Sequence, residues 1–217
     1  ADLNYQPKPE RLYDFELGYH HINTRFSASA NLYFMNYKDQ LLATGKINNV
    51  GDPILTNVAK SYRAGIELSG ALQLNEKLDW SANFTLSQNK ILDFVQYIDN
   101  WDNWSQEAID LGTTNILLSP EQIGSSTITY RPFKKLSMSL ISKYVGQQYI
   151  DNTSTQYNSI DSYFVNDINM AYRFNPKAFK SIELNLHVSN IFSVEYETYG
   201  WAYNYISNNQ QKVMDGY

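Results

Sequence analysis

The sequence contains no cysteine, so it cannot form a disulfide framework or use a thiolate as nucleophile or metal ligand. It also lacks any apolar run near the roughly 18 residues that a membrane-spanning helix requires. Lysine and arginine total 17 against 22 acidic residues, which gives a formal net charge of −5. Because no basic stripe is present either, the composition argues against a nucleic-acid partner.

Aromatic residues, in contrast, are abundant, at 15% of the chain with 18 tyrosines. These residues favour β-strands and positions with one apolar and one wet side. No segment predicts a helix; apolar and polar residues instead alternate with a period of two. In the segment 181–192, for example, Ile182, Leu184 and Leu186 alternate with Glu183 and Asn185. This alternation predicts a strand with one apolar and one polar face.

The same alternation recurs along most of the chain and predicts about eight strands. They lie within the segments 11–19, 25–37, 61–74, 80–91, 122–132, 135–149, 164–174 and 181–192. The weakest case is 122–132, which is rich in β-branched residues but has no clean apolar face. The connections alternate between short ones, at 20–24, 75–79, 132–135 and 175–180, and long ones, at 38–61, 91–120, 149–160 and 191–217. Short periplasmic turns and long extracellular loops are typical of an antiparallel up-and-down transmembrane β-barrel. The sequence therefore predicts an all-β outer-membrane barrel.

Two further features favour lipid as the environment of the apolar face. The polar face carries mostly Ser, Asn, Thr and Gly, which suits a barrel lumen. Aromatic residues near the strand ends are expected to form interfacial girdles, namely Tyr13, Tyr33, Tyr37, Trp80, Tyr130, Tyr144, Tyr149, Tyr172 and Phe174. A soluble β-sandwich or lipocalin-like barrel has the same period with its apolar face inward, and it stays open as the alternative.

Three segments carry a resemblance to a known family. PERLYDFELGYHHINTRFSASANLYFMNYKDQLL (9–42) opens a strand with Pro-Glu, continues with Glu-x-Gly-x and ends its second strand with Tyr-x-Asp. SYRAGIELSG (61–70) contains Gly-x-Glu after a small residue, and VSNIFSVEYE (188–197) is similar to an Asn-Leu-Phe-x-x-x-Tyr element, with Ile191 in place of Leu. In this order and spacing, the segments resemble the late barrel of TonB-dependent outer-membrane receptors.

The resemblance implies that residues 1–217 are a C-terminal portion of a 22-stranded barrel, without the plug domain, the TonB box or the last strand. The segment 195–217 is expected to be a loop. The implied partners are outer-membrane lipid or lipopolysaccharide, the rest of the barrel with its plug, periplasmic TonB and a small-molecule ligand. The implied location is the outer membrane of a Gram-negative bacterium.

The function implied by the resemblance is active uptake of a scarce ligand such as a ferric siderophore, haem or cobalamin. This chain would supply barrel wall and ligand-capturing loops. One alternative is a SusC-like importer of glycans or peptides that works with a surface lipoprotein. Another is a small structural or adhesive barrel, and a third is a soluble sugar-binding β-domain.

Catalytic and metal-binding patterns are not found in the sequence. It contains no Gly-rich phosphate loop, no His-Glu-x-x-His and no nucleophile elbow, so we expect neither an enzyme nor a bound cofactor. His20 and His21 fall at a strand end, which is more typical of a solvated or girdle position than of a metal site. His187 belongs to the polar face and is expected to line the lumen.

The candidate ligand-binding residues are aromatic and fall in two of the long loops. Exposed aromatic rings could stack on a sugar, a corrin or an aromatic siderophore, or they could form a small core that folds the loop down. The candidates are Tyr97, Trp101, Trp104, Tyr199, Trp201 and Tyr203. Acidic residues accompany the first three, but their spacing does not fit an EF-hand calcium loop.

Overall fold

The computed structural model describes residues 6–47 and 53–216. Within them it has one 3-10 turn, at Gln156–Asn158, and no helix long and apolar enough to cross a membrane. The strands are β1 (Arg11–Ile22), β2 (Phe26–Ile47), β3 (Pro53–Asn75), β4 (Leu78–Asn100), β5 (Ser105–Asn115), β6 (Gln122–Phe133), β7 (Leu136–Val145), β8 (Gln148–Tyr149), β9 (Ser159–Ile160), β10 (Tyr163–Phe174), β11 (Ile182–Val188), β12 (Trp201–Ser207) and β13 (Gln210–Gly216).

Eight strands form one continuous antiparallel sheet in the order β1-β2-β3-β4-β6-β7-β10-β11. This confirms the up-and-down, all-β prediction and its eight principal strands. In the part of the chain that the structure describes, β1 and β11 do not pair with each other, so the sheet is open. β5, β12 and β13 join it through β4, while β8 and β9 form a separate pair.

Short and long connections lie at opposite ends of this sheet, as predicted. The short ones are 23–25, 76–77, 134–135 and 175–181. We call residues 39–47, 53–59, 89–121, 145–166 and 189–216 the long-hairpin half. The remaining described residues of β1 to β11, with their turns, are the short-turn half. β2, β3 and β4 have 22, 23 and 23 residues, whereas about 9–11 residues span a bilayer, so they extend well beyond one.

The prediction that the long connections at 38–61 and 91–120 are loops is wrong. Most of each segment continues the flanking strands, because the backbone ladder between paired strands persists past the apolar band. β2 and β3 thus reach Ile47 and Pro53, and residues 48–52 lie outside the described residues. β4 continues to Asn100 and pairs with β5.

The final segment was predicted to contain only a loop, and this too is wrong. β12 and β13, of seven residues each, form an antiparallel hairpin there, with Trp201 opposite Gly216 and Ser207 opposite Gln210. Trp201, Tyr203 and Tyr205 alternate with smaller or polar residues, so a period-two signal is present. It uses aromatic rather than aliphatic residues.

The apolar face of the short-turn half points outward. Cross-strand register places Leu17, Leu32, Ile66 and Leu86 directly opposite one another in one row across β1 to β4. Leu17 is 71% exposed and Phe15, on the same face of β1, is 63% exposed. No described part of the chain covers this face, which therefore suits lipid rather than a protein core.

The opposite face is lined by polar groups that bond across the strands. Ser29 and Ser69 hydroxyls lie 2.7 Å apart, and the Asn83 amide donates to Ser125 Oγ at 2.8 Å. His187, opposite Asn169, belongs to this face, as predicted. Such a polar face is the one that a membrane barrel turns toward its lumen.

The prediction that Tyr33 and Tyr37 belong to the interfacial girdles is wrong. The register puts both on the polar face. Tyr33 lies over Gly65, where an added Cβ would be 2.7 Å from the Tyr33 hydroxyl oxygen. Both side chains are therefore on the lumen side of the sheet. Side chains alternate between the two faces along a strand, so a position near a strand end does not decide which face a residue occupies.

The long-hairpin half has a core of its own. Val58, Ile91, Phe94 and Ile116 are buried together, with Leu42 packed against them. Ile91 and Phe94 are three residues apart, a spacing that a regular strand would place on opposite faces. The ladder shifts register between them, beside a residue with φ +54°, and this β-bulge turns both side chains inward.

Candidate ligand-contacting surface

Two hairpins, β4–β5 and β12–β13, are joined side by side in the long-hairpin half. β12 pairs in parallel with the end of β4, with Tyr205 opposite Asp99 and Ile206 opposite Asn100. The Trp101 backbone N–H donates to the Ile206 carbonyl at 2.9 Å. Two segments that are more than 100 residues apart in the sequence therefore form a single surface.

A carboxylate ties the two hairpin tips together. Asp102, in the β4–β5 turn, accepts hydrogen bonds from the backbone N–H groups of Asn208 and Asn209, both at 2.8 Å. The bond from Asn209, then the bond from Asn208, and then the nearby Lys212 charge lower the pKa of Asp102. The ionised carboxylate is thus the form that holds the tips together.

Three aromatic rings pack where the hairpins meet. The Trp101 ring stacks on Tyr205 with centroids 4.1 Å apart, and Tyr203 lies 6.4 Å from Trp101. The Tyr203 hydroxyl donates to Asp99 Oδ2 at 2.5 Å. Burial raises the pKa of Tyr203, and the hydrogen bond to Asp99 raises it further. Trp101 and Tyr203 therefore belong to a folded aromatic cluster.

Tyr97 lies beside this cluster, where β2 crosses β4. The Lys46 ammonium is 5.4 Å from the centre of the Tyr97 ring, a cation–π contact. Gly45, at φ +82°, is so close that an added Cβ would be 2.2 Å from the Tyr97 carbonyl oxygen. Only glycine suits that backbone conformation and that space.

A cavity of about 310 Å³ lies between β2, β4, β12 and the segment 150–153. Its volume is that of a small ligand-binding pocket. Its walls combine apolar, amide and charged side chains, among them Lys46, Phe94, Tyr97, Asp151, Asn152 and Tyr203. Tyr97 and Tyr203, both predicted site residues, are thus brought to one cavity.

The wall at 151–158 was not predicted from the sequence. The Asp151 carboxylate accepts hydrogen bonds from the amides of Asn158 and Asn204, at 2.6 and 3.1 Å. The Asn152 amide donates to the Ala43 carbonyl at 2.7 Å, which links this wall to β2. The density of Asp, Asn, Ser and Thr in this stretch is a turn signal, but it does not identify the strand that the turn contacts.

The other three predicted residues are exposed to solvent. Trp104, at φ +57° in the β4–β5 turn, is 89% exposed, and Tyr199 and Trp201 are 64% and 50% exposed. Among the described residues, none of the three stacks on another aromatic ring, whereas Trp101, although 42% exposed, stacks on Tyr205. The Trp201 ring lies against Gly216, where an added Cβ would be 2.7 Å from Trp201 Nε1. The structure therefore separates the six candidates into packed rings (Tyr97, Trp101 and Tyr203) and open rings (Trp104, Tyr199 and Trp201).

The acidic residues do not form a metal site in the described ranges. No group of three or more His, Asp or Glu side chains there is close enough to hold an ion. Asp99, Asp102 and Asp151 each accept hydrogen bonds from protein donors instead.

Comparison with solved structures gives the same fold. The ferric yersiniabactin uptake receptor FyuA from Yersinia pestis superimposes with a TM-score of 0.66 at 16% identity, over 95% of this chain and 28% of FyuA. The siderophore receptor PiuA from Acinetobacter baumannii gives 0.65 at 17% identity, over 88% and 25%. The copper transporter OprC gives 0.65 at 19% identity, over 88% and 27%. The chain thus spans about a quarter of each structure's length.

Sequence comparison then identifies the family. A search of curated protein sequences finds no significant match. The profile described as "TonB dependent receptor-like, beta-barrel" matches residues 1–191, which is most of the chain. With the open antiparallel sheet, its outward apolar face and its long hairpins at one end, this match shows that the chain belongs to the TonB-dependent receptor β-barrel family.

Proposed function

We propose that this chain forms part of the barrel wall and of the extracellular ligand-contacting surface of a TonB-dependent importer in a Gram-negative outer membrane. The observation that carries the proposal is the exposure of three aromatic rings in the long-hairpin half: Trp104 in the β4–β5 turn, Trp201 at the start of β12 and Tyr199 in the connection just before it. Aromatic rings left in water on an otherwise ordered surface are typical of binding sites.

The packed rings have a different role in this proposal. Trp101, Tyr203 and Tyr205 hold the hairpins together, so that the open rings are presented on a firm base. Such preorganisation reduces the conformational entropy that a loop loses when it binds. In this proposal, the packed rings form the small core that folds the loop down, and the open rings contact the ligand.

A ferric siderophore is the ligand class that we propose. PiuA, whose fold this chain shares, is by name a siderophore receptor, and FyuA, which also shares the fold, is by name a ferric yersiniabactin uptake receptor. Flat aromatic surfaces also suit the planar chelating groups of many siderophores, and the polar cavity wall could accept hydrogen bonds from them. Haem and cobalamin have the same requirement for a flat apolar contact, so they become outcomes of the test.

The remaining partners follow from this assignment. The rest of the barrel, a plug domain and periplasmic TonB would complete the importer, with the energy delivered through TonB rather than by catalysis in this chain. A surface lipoprotein, as in SusC-like importers, stays a prediction with no observation in its favour.

Ligand binding by the mature receptor that carries this chain, purified in detergent, tests the proposal. The probes are ferric yersiniabactin, haem, cobalamin and a copper salt, each measured by quenching of intrinsic fluorescence. We expect ferric yersiniabactin to bind, and the double variant Trp104→Ala/Trp201→Ala to bind it about tenfold or more weakly, since a stacked aromatic contact contributes roughly 0.5–1.5 kcal/mol.

Phe179→Ala is the matched control, because Phe179 is 64% exposed but lies in a connection at the short-turn end. It should leave binding unchanged. Equal affinity in the double variant and the unmodified receptor would contradict the proposed contact surface. Binding of haem, cobalamin or the copper salt in place of ferric yersiniabactin would contradict the siderophore assignment.

A further inference from the structure

Three cations occupy one cross-strand row on the outward face of the sheet. Arg11 on β1 lies directly opposite Lys38 on β2, and Lys38 lies directly opposite Lys60 on β3. The row has the same strand parity as the outward apolar row that contains Leu17, and all three side chains are exposed. Directly opposed residues have Cβ atoms about 5 Å apart, so the three charges form a compact patch.

This arrangement is unfavourable without an external anion. Like charges directly opposite each other destabilise a sheet. In the described part of the chain, Arg11, Lys38 and Lys60 form no ion pair. The opposed and diagonal positions on the same face of β1 to β4 hold no acidic residue either.

A neighbouring cation, in contrast, is balanced by acceptors within the protein. Lys90 lies diagonally from Lys60 on the same face, and its ammonium is 2.5 Å from Asn115 Oδ1 and 3.3 Å from the Glu121 carboxylate. Protein groups therefore bind the Lys90 ammonium. The row of three has no equivalent partner.

The height of the row matches the edge of the membrane. Tyr13 and Tyr62 form the next row toward the short-turn end, and the apolar face continues from Tyr62 to Leu72. These eleven residues are ten steps of the strand and span about 33 Å along it, or about 25 Å across a membrane at a tilt of roughly 40°. That is the height of the apolar band of an outer-membrane barrel, which places the cations at the level of the lipid headgroups on the long-hairpin side.

We propose that Arg11, Lys38 and Lys60 form a binding site for the phosphate groups of a lipopolysaccharide headgroup, the diphosphorylated glycolipid of the outer leaflet. Guanidinium and ammonium groups are the usual protein partners of phosphate. The Tyr13 and Tyr62 rings just below would contact the boundary between sugar and acyl chains. This site is on the lipid side of the wall, so it is independent of the ligand proposed above.

The test uses the mature receptor in neutral detergent, with binding of purified diphosphorylated lipid A measured by native mass spectrometry. The triple variant Arg11→Gln/Lys38→Gln/Lys60→Gln should bind lipid A about a hundredfold more weakly, since each cation near an anionic membrane surface contributes roughly fivefold. A glycolipid stripped of both phosphates should bind the unmodified receptor as weakly as lipid A binds the variant. Lys38→Arg/Lys60→Arg, which keeps the charge, should retain binding.

Lys77→Gln/Lys134→Gln/Lys135→Gln is the matched control, because it removes the same charge from exposed turns at the opposite end of the sheet. Without lipid A, the Arg11/Lys38/Lys60 variant should melt no lower than the unmodified receptor, because it loses only repulsion. Unchanged binding in that variant, or an equal loss in the control, would overturn the proposal. Displacement of lipid A by inorganic phosphate at equal concentration would reassign the row to free phosphate and overturn the lipid assignment.

Discussion

The two halves of this sheet are stabilised in opposite ways. The short-turn half leaves its large apolar side chains outside, with Phe15 and Leu17 well over half exposed, and its polar residues bond across the inner face. The long-hairpin half contains every large buried hydrophobic side chain of the described residues, such as Phe94 and Ile98. The same strands β2, β3 and β4 run through both, so the change from an exposed apolar face to a buried core marks the level at which we expect the bilayer to end.

Removal of a core ring from the long-hairpin half should have the largest effect. Phe94→Ala would leave a cavity beside Val58, Ile91 and Ile116, and we expect a loss of about 3–5 kcal/mol of local stability. Hydrogen exchange of the β4 and β5 amides would measure it. The matched change, Phe34→Ala on the outward face, should cost much less, because lipid or detergent fills the space. Equal losses of stability in the two variants would contradict the difference in packing between the two halves.

A charge on the outward face of the short-turn half should have the next largest effect. Ile66→Arg places a cation near the middle of the apolar band, where such a residue costs about 2–4 kcal/mol. Denaturant unfolding in lipid bilayers would measure the loss. Thr85→Arg is the control, because Thr85 is on the polar face directly opposite Glu67, with which the new cation could pair. Comparable destabilisation by both changes would contradict the assignment of the faces.

Loss of a single hydrogen bond between the hairpins should have a smaller effect. Tyr203→Phe removes the donor to Asp99, which should cost about 1 kcal/mol of hairpin docking. Because the pKa of Tyr203 is raised in the folded state, its contribution is present below its ordinary pKa near 10 and is lost as the pH rises through the folded value. Hydrogen exchange of β12 as a function of pH should show this alkaline loss, and the phenylalanine variant should not.

The tie at Asp102 should give the smallest effect, since this carboxylate is fully exposed. Its pKa is lowered by the two backbone donors, so its contribution is present above the ordinary value near 3.8 and is lost as the pH falls through the folded value. Spin labels on the two hairpin tips should report separation only in that acidic range. Asp102→Asn should remove the acid transition, and persistence of the transition in that variant would refute the tie.

Much of the short-turn half could be predicted from the sequence. Alternation with a period of two is a local property, and it located the principal strands and the short turns between them, except for the strand at 122–132, which its β-branched residues indicated. The long-hairpin half was predicted less well. Its strands carry apolar and polar residues on the same face, and a β-bulge after Ile91 interrupts the alternation. The sequence pattern therefore predicts loops there. Among the candidate residues, the aromatic type could be chosen from the sequence, but the division into packed and open rings could not.

The sequence by itself determined the strand pattern, the two faces and the family, because these depend on neighbouring residues and on short motifs such as the one at 188–197. Only the tertiary structure decided which residues from distant segments meet. The contacts between Trp101 and Tyr205 and the row of Arg11, Lys38 and Lys60 depend on strand register and hairpin docking. A shift of one residue in register would move each of these side chains to the other face, so no local pattern could have placed them.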